Sequence, residues 1–340
     1  MSLMDAGWAR YAPETTPDNL TGRVALVHRD RFVVWTDDGE VTATASGHLR
    51  HSDEEQPCVG DWVTLREGCV ISAVLPRRTK LSRKEPGRRA CEQVLAANMD
   101  VLFVVSGLDG DYNPRRLERY LVLAHESGAR PVVLLNKADL RGDLEDVVRL
   151  TERRAPGVRV IALSALKEWG LDSIRSQIGV GETAALIGSS GVGKSAIVNA
   201  LLGESRQRTS AVRESDSKGM HTTTHRELIR VPGDWLLMDL PGVRELQLWG
   251  DGLEEGLGDA FAEIAELAEG CRFRDCSHEG EPGCAVREGG LDPLRLQNYF
   301  KLKKEVRFLE RQADARLARE TKQKWKAIEK EVRRHPKRGY

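Results

Sequence analysis

The chain has 340 residues, 31% of them charged and 40% hydrophobic, and its 52 basic side chains are matched by 52 acidic ones. That length supports two or three domains with separate cores, and that balance excludes disordered and fibrous classes. No apolar run approaches the roughly 20 residues that cross a bilayer, and the first residues lack an apolar stretch behind positive charge, so neither membrane insertion nor secretion is expected and the reading is cytoplasmic.

Residues 1–78 read as an N-terminal tail followed by a small all-β domain. Short runs at Val24–Val27, Phe32–Thr36, Val41–Ala45, Asp61–Leu65 and Val70–Val74 are separated by turn residues, with Asp38-Gly39 and Glu67-Gly68 as hairpin signals. Strands at this density suggest an OB-type barrel, a fold that often binds oligonucleotides; an SH3-like barrel has the same signature. Phe32, Trp35 and Trp62 are either stacking platforms for bases or core, and core is the commoner use of aromatics in so small a barrel. Residues 79–98 read as a basic linker: Pro76–Gln93 carries seven basic residues against two acidic ones, which suits a solvated connector, a contact to phosphate backbone, or both.

Residues 99–249 change pattern. VLFVVSG, VVLLNKAD, VIALSA and TAALIG are near-continuous apolar runs separated by helical stretches starting at Pro114, at Leu144 and near Leu171, and Trp235–Met238 is one more strand. This is the pattern of a parallel α/β sheet covered on both faces. Residues 250–340 open with an acidic helical stretch, Asp251–Glu269, continue through a Cys/His cluster and end in one or two long helices beyond Pro293. Residues 301–340 hold fifteen Lys and Arg against six Asp and Glu, so the remainder is correspondingly acidic.

The α/β segment carries the motifs of a GTP-binding protein in an unusual order. Asn136, Lys137, Ala138 and Asp139 (NKAD) and the SAL triplet with Ser164 and Ala165 come first; the phosphate loop Gly188, Ser189, Ser190, Gly191, Val192, Gly193, Lys194, Ser195 follows; Asp239 and Gly242 of DLPG come last. Small GTPases ordinarily open with the phosphate loop, so the domain reads as circularly permuted. The loop glycines let backbone N–H groups close around phosphates, Lys194 reaches the outer phosphates, Ala196 continues the first helical turn, and Ser195 can hold Mg²⁺. The Asp139 carboxylate can accept two hydrogen bonds from guanine that adenine cannot offer, which selects GTP over ATP. Asp239 and a threonine such as Thr223 are further magnesium candidates, and the Gly242 N–H is placed to sense the γ-phosphate. Val243 stands where many GTPases have a water-orienting glutamine; His221, in SKGMHTTTHRE, is either its catalytic replacement alongside Lys194 or a solvated loop residue. Cys271, Cys276, His278 and Cys284 supply three sulfurs and an imidazole within fourteen residues, a donor set for one closed, structural Zn²⁺ site.

The barrel, PRRTKLSR, NKAD, GSSGVGKS, GMHTTT, DLPGVREL and CRFRDCSHEGEPGCAVRE together resemble the RsgA (YjeQ) family of circularly permuted GTPases over nearly the whole chain from about Gly22. The resemblance implies an N-terminal OB domain, a permuted GTPase domain and a C-terminal, mostly helical zinc domain. It also implies binding to the 30S ribosomal subunit and its 16S rRNA in late maturation, with hydrolysis of GTP to GDP stimulated by the subunit, and it places the family's hydrophobic substitution on Val243 and its proposed catalytic histidine on His221. A monomer without DNA or membrane partners is expected. Two other readings stand beside it: a permuted GTPase of the large subunit, a class that generally lacks this barrel and cysteine block, and a non-catalytic GTP-dependent binding module.

Overall fold

The computed structural model describes residues 3–12, 20–28, 30–51, 56–84, 92–110, 112–203, 226–240, 248–249 and 252–312. The strands β1 (Leu20–His28), β2 (Arg31–Thr36), β3 (Gly39–Ala45), β4 (Trp62–Arg66) and β5 (Val70–Val74) match the expected runs to within a few residues. The ring closes as β1-β2-β3-β5-β4 and back to β1, with β3 and β5 parallel. A short helix, α1 (Trp8–Tyr11), precedes the barrel, and α2 (Gly47–His51) sits between β3 and β4. This closure is the OB arrangement, which excludes the SH3-like alternative. Phe32, Trp35 and Trp62 are all buried, so the aromatics are core.

β1 serves two sheets. Leu20 to Arg23 pair with β4, whereas Leu26 and Val27 pair with the next sheet, and a register shift between Val24 and Leu26 separates the two uses. An extra residue in one strand bends it and increases its twist, which here re-aims the strand out of the barrel.

The segment expected as a linker is structured where it is described. β6 (Lys80–Lys84) and β7 (Glu92–Ala97) form an antiparallel pair, and the buried Leu81, Leu95 and Ala96 belong to the main core. Its basic residues masked the short apolar run Val94–Ala97 and Leu81 that anchor the hairpin.

The α/β domain follows with β8 (Val101–Gly107), α3 (Pro114–Glu126), β9 (Arg130–Asn136), α4 (Leu144–Arg154), β10 (Arg159–Ala162), α5 (Leu171–Arg175), β11 (Thr183–Ile187), α6 (Lys194–Leu202), β12 (Arg226–Val231) and β13 (Trp235–Asp239). Spatially the order is β10-β9-β8-β11-β13-β12, all parallel except β12, and β12 pairs with β1 of the barrel. The strand that feeds the phosphate loop, β11, is therefore central although it is late in the chain. Asn113 caps α3 by accepting from the N–H groups of Arg115 and Arg116 at 3.0 and 3.2 Å, with Pro114 in the first turn, where its missing N–H costs nothing.

The acidic stretch breaks at Phe261 into α7 (Leu253–Ala260) and α8 (Ala262–Ala268). α7 lies against α3 because Gly256 has no side chain: a Cβ there would come within 2.6 Å of the Val122 carbonyl oxygen. After the cysteine segment come α9 (Ala285–Glu288) and a helix over residues 293–312, here α10. One apolar cluster runs from Leu3 and Trp62 through Leu121 and Leu257 to Val286 and Val306, so barrel, α/β domain and C-terminal region share a core. Among the described residues no helix is long and apolar enough to cross a membrane.

Candidate functional site

The nucleotide motifs converge at the C-terminal ends of β8, β9, β11 and β13, where open parallel sheets bind ligands. The loop leaving β11 begins at Gly188, whose φ of +151° and close approach to the Val105 carbonyl oxygen, 2.4 Å from where a Cβ would stand, admit no other residue without a shift. Gly193, at φ +94°, is needed for a second reason: a Cβ would lie 2.2 Å from Asn136 Nδ2. Lys194, first residue of α6, folds back so that Nζ donates to the carbonyls of Gly188 and Ser189, both at 2.7 Å. Its ammonium is thereby held at the loop, with Ser195 and Ala196 half-buried in the first turn of α6 and Ser190 and Gly191 exposed at the tip.

Asn136 ties the two nucleotide loops together. It is buried at the end of β9; Nδ2 donates to the Val192 carbonyl at 2.8 Å, and Oδ1 accepts from the Ala165 N–H at 3.0 Å. Lys137 adopts a left-handed conformation, φ +62°, and Nζ donates to the Gly191 carbonyl at 2.7 Å. The Ala138 N–H donates to the Leu163 carbonyl at 3.0 Å, and Ser164 pairs with Trp169 through two backbone bonds of 3.0 Å each. Asp139 is exposed in the turn Ala138–Leu140, and Leu166, which follows Ala165 in the facing loop, is 84% exposed.

Asp109 was not expected. It follows β8 and takes an ion pair and hydrogen bond from Lys137 Nζ, so the lysine that touches the phosphate loop is also held from a third loop. The signal was available in SGLDG, an acidic residue just past the end of a buried parallel strand. Asp239 ends β13 and, one residue beyond the Ala185–Met238 pair, lies level with Leu186, two residues before the phosphate loop. His221, Thr223, Gly242 and Val243 lie outside the described residues, as does the basic tail beyond residue 312.

The second site is the cysteine cluster. The ligand atoms of Cys271, Cys276, His278 and Cys284 all lie within 4.8 Å of one another, and His278 Nδ1 is 3.5 Å from the sulfurs of both Cys271 and Cys284. A tetrahedron with metal–sulfur bonds of about 2.3 Å and a metal–nitrogen bond of about 2.0 Å has edges near that separation, so the residues fit a four-coordinate ion. His278 is buried and reaches the cluster with φ at +62°. Burial and the neighbouring thiols push the Cys276 thiol up to about 11 while, against burial, backbone N–H groups of Val286 and Ala285 hold the Cys271 thiol below its ordinary value, so the sulfurs ionise together only beside a cation.

A family model described as RsgA GTPase matches residues 74–249, the stretch that holds every nucleotide motif. The chain belongs to the RsgA GTPase family. It is 44% identical over 356 residues to the small ribosomal subunit biogenesis GTPase RsgA of Opitutus terrae, covering 96% of each chain. The RsgA of Syntrophotalea carbinolica, with the same description, is 41% identical over 356 residues and covers 98% of each. Among solved structures, YjeQ from Thermotoga maritima superposes with a TM-score of 0.64 at 25% identity, over 84% of this chain and 98% of that one. YloQ, a circularly permuted GTPase, gives 0.58 at 22% identity over 89% of this chain and 99% of that one, which speaks to the fold. Family membership makes this chain an RsgA-type GTPase, and the permuted order of its motifs is that of the fold.

Proposed function

We propose that this protein binds the small (30S) ribosomal subunit through its 16S rRNA during late maturation, hydrolyses GTP there, and leaves on hydrolysis. The observation that carries the nucleotide half is Asn136, which bridges the phosphate loop at Val192 to the guanine loop at Ala165 and so makes one pocket of segments far apart in the chain. The subunit half rests on relatives 40–46% identical that are described as small ribosomal subunit biogenesis GTPases.

In this reading Asp139 selects guanine, Lys137 lines the base, and Ser164 and Ala165 complete its pocket. Residues 188–196 hold the phosphates, with Lys194 moving from the loop carbonyls onto the outer phosphates and stabilising charge in the transition state. Ser195, Asp239 and Thr223 would hold Mg²⁺, which neutralises phosphate charge when bound, and Gly242 senses the γ-phosphate. Val243 cannot orient water, so intrinsic turnover is slow, and His221 acts once the subunit orders its loop. Cys271, Cys276, His278 and Cys284 hold one Zn²⁺ as a structural ion. The functional units are residues 1–78, 79–98, 99–249 and 250–340, and the protein is a cytoplasmic monomer.

The test is GTP hydrolysis with purified 30S or 50S particles at one salt concentration. Small subunits should raise turnover well above the intrinsic rate and large ones should not; equal stimulation by both, or by neither, overturns the small-subunit reading.

A further inference from the structure

The six-residue turn from Cys271 to Cys276 presents Arg272, Phe273 and Arg274 to solvent, and Phe273 is 42% exposed whereas most large apolar side chains among the described residues are buried. The turn is tightly held. Both ends are cluster residues; the Cys276 N–H donates to the Phe273 carbonyl at 3.3 Å, and the Arg272 N–H donates to the Gly283 carbonyl at 3.1 Å. Gly283, at φ +74°, leaves room for the arginine stem, since a Cβ there would stand 3.2 Å from Arg272 Cβ. The Arg272 guanidinium lies over the Phe273 ring, 5.6 Å from its centroid.

Two nearby acids have partners of their own. The Glu281 carboxylate is taken up by the N–H and hydroxyl of Ser277, at 2.9 and 2.5 Å, and by the Gly280 N–H at 3.1 Å. Glu279 pairs with Lys304 at 3.2 Å. Asp275 is the one acid within the turn itself.

We propose that this turn is a contact for single-stranded RNA, in which Phe273 stacks on an unpaired base while Arg272 and Arg274 meet the adjoining phosphates. An aromatic face stacks on any base, flanking guanidinium groups suit a phosphate backbone, and a rigid platform loses little entropy on binding. A duplex keeps its bases stacked on one another and offers the ring no face. A protein groove could bury the ring, but it would have to desolvate two arginines beside it, which is costly without matching carboxylates. The proposal rests on the small-subunit reading, since it names the RNA feature that this part of the chain would meet.

The experiment uses the full-length, metal-loaded chain and a fluorescein-labelled 12-nucleotide single-stranded RNA, with the matching duplex as control, at fixed moderate salt. The unsubstituted protein should prefer the single strand. Phe273→Ala should weaken that binding by roughly tenfold or more, the range expected for loss of one stacked base, while Phe273→Trp retains it and Phe273→Leu, apolar without a ring, does not. Metal content and guanine-nucleotide affinity should be unchanged in all three. If Phe273→Ala or Phe273→Leu bound the single strand as well as the parent, or the parent bound it no better than the duplex, the proposal fails. A variant that lost affinity for 30S particles but not for the oligonucleotide would overturn it in favour of a protein contact. Stimulation of GTP hydrolysis by 30S particles, measured on the parent in parallel, keeps the two readings apart: its absence removes the small-subunit assignment, whereas stimulation with an indifferent Phe273 removes only the RNA contact.

Discussion

The α/β domain is joined to its neighbours on both sides by buried arginines, and the two junctions use them differently. At the barrel, Arg23 of β1 donates to three main-chain carbonyls, those of Ala6 at 2.5 Å, Asn98 at 2.9 Å and Gly60 at 3.3 Å, and lies over the Trp62 ring at 5.2 Å. Burial pushes its pKa down to about 10, with Asp100 and Asp61 opposing the shift. At the C-terminal region, Arg154 of α4 and Arg295 of α10 share the fully buried Glu118 of α3, at 2.7 and 3.1 Å, while Asn298 donates to the other oxygen of Glu118 at 2.5 Å. Arg295 also pairs with Glu263 and donates to the carbonyls of Arg154 and Ala260, and Arg154 pairs with Asp292.

The barrel junction thus uses a guanidinium as a fork between backbones, added to a short strand pairing of β1 with β12 at Leu26–Glu227 and Val27–Arg226. The C-terminal junction depends on charge compensation among side chains from four helices. Backbone pairing is insensitive to which side chains are present, whereas a buried charge network fails as a unit when one member is removed. The barrel should therefore behave as part of the α/β domain, and the C-terminal region as the part that can separate.

The largest effect should come from the cysteine cluster. Cys276→Ser should lower metal content, measured by elemental analysis at one ion per chain in the parent, and raise hydrogen exchange in residues 271–289, because Cys284 and Val286 bring that segment into the shared core. The barrel should stay protected; exchange rising equally in β1 would mean the two junctions are not independent.

Next, Glu118→Ala leaves two arginines buried without their shared carboxylate and should cost about 3–5 kcal/mol in urea unfolding. Exchange should rise first in α7 and α10. A cost below about 1 kcal/mol would show that the arginines find other partners and that the network does not hold this junction.

Arg23→Met should cost less, about 1–3 kcal/mol, since it orphans neutral carbonyls rather than charges. Arg23→Lys should recover little of that, because an ammonium cannot reproduce the fork. Full recovery by lysine would reduce the Arg23 contribution to its charge.

The smallest effect concerns His125 of α3, 3.8 Å from Asp259 of α7. Burial lowers its pKa from the ordinary 6.5, with Asp259 opposing. Below pH 6.5 the unfolded chain takes up a proton that the folded chain resists, so this contribution is present above the unfolded value and is lost as pH falls through the folded one. His125→Gln should therefore show a shallower loss of urea midpoint between pH 7.5 and 5.5 than the parent, roughly the window that linkage defines. Parallel curves would show that protonation of His125 is not coupled to folding.

Much of this molecule was legible in its residues because its informative motifs are local. A phosphate loop needs glycines at fixed offsets between a strand and a helix, and GSSGVGKS carries them; NKAD follows a strand, and Asn136 occupies the bridging position its type implies. Four metal donors within fourteen residues came together because short loops leave them few other arrangements. Short runs separated by turn residues located all five barrel strands.

Other features depended on partners distant in the chain. Closure of β1 on β4 chose the OB arrangement, and that pairing spans some forty intervening residues that no periodicity encodes. The β6–β7 hairpin was hidden by its own positive charge, since its few apolar side chains are covered only once the rest of the chain packs around them. Asp109 acquired a role from Lys137, and Glu118 is tolerable in a helix core only because α4 and α10 bring arginines to it. Local chemistry wrote the motifs; long-range burial, which rewards contacts only after the chain has closed on itself, decided the strand order, the junctions and the residues that serve them.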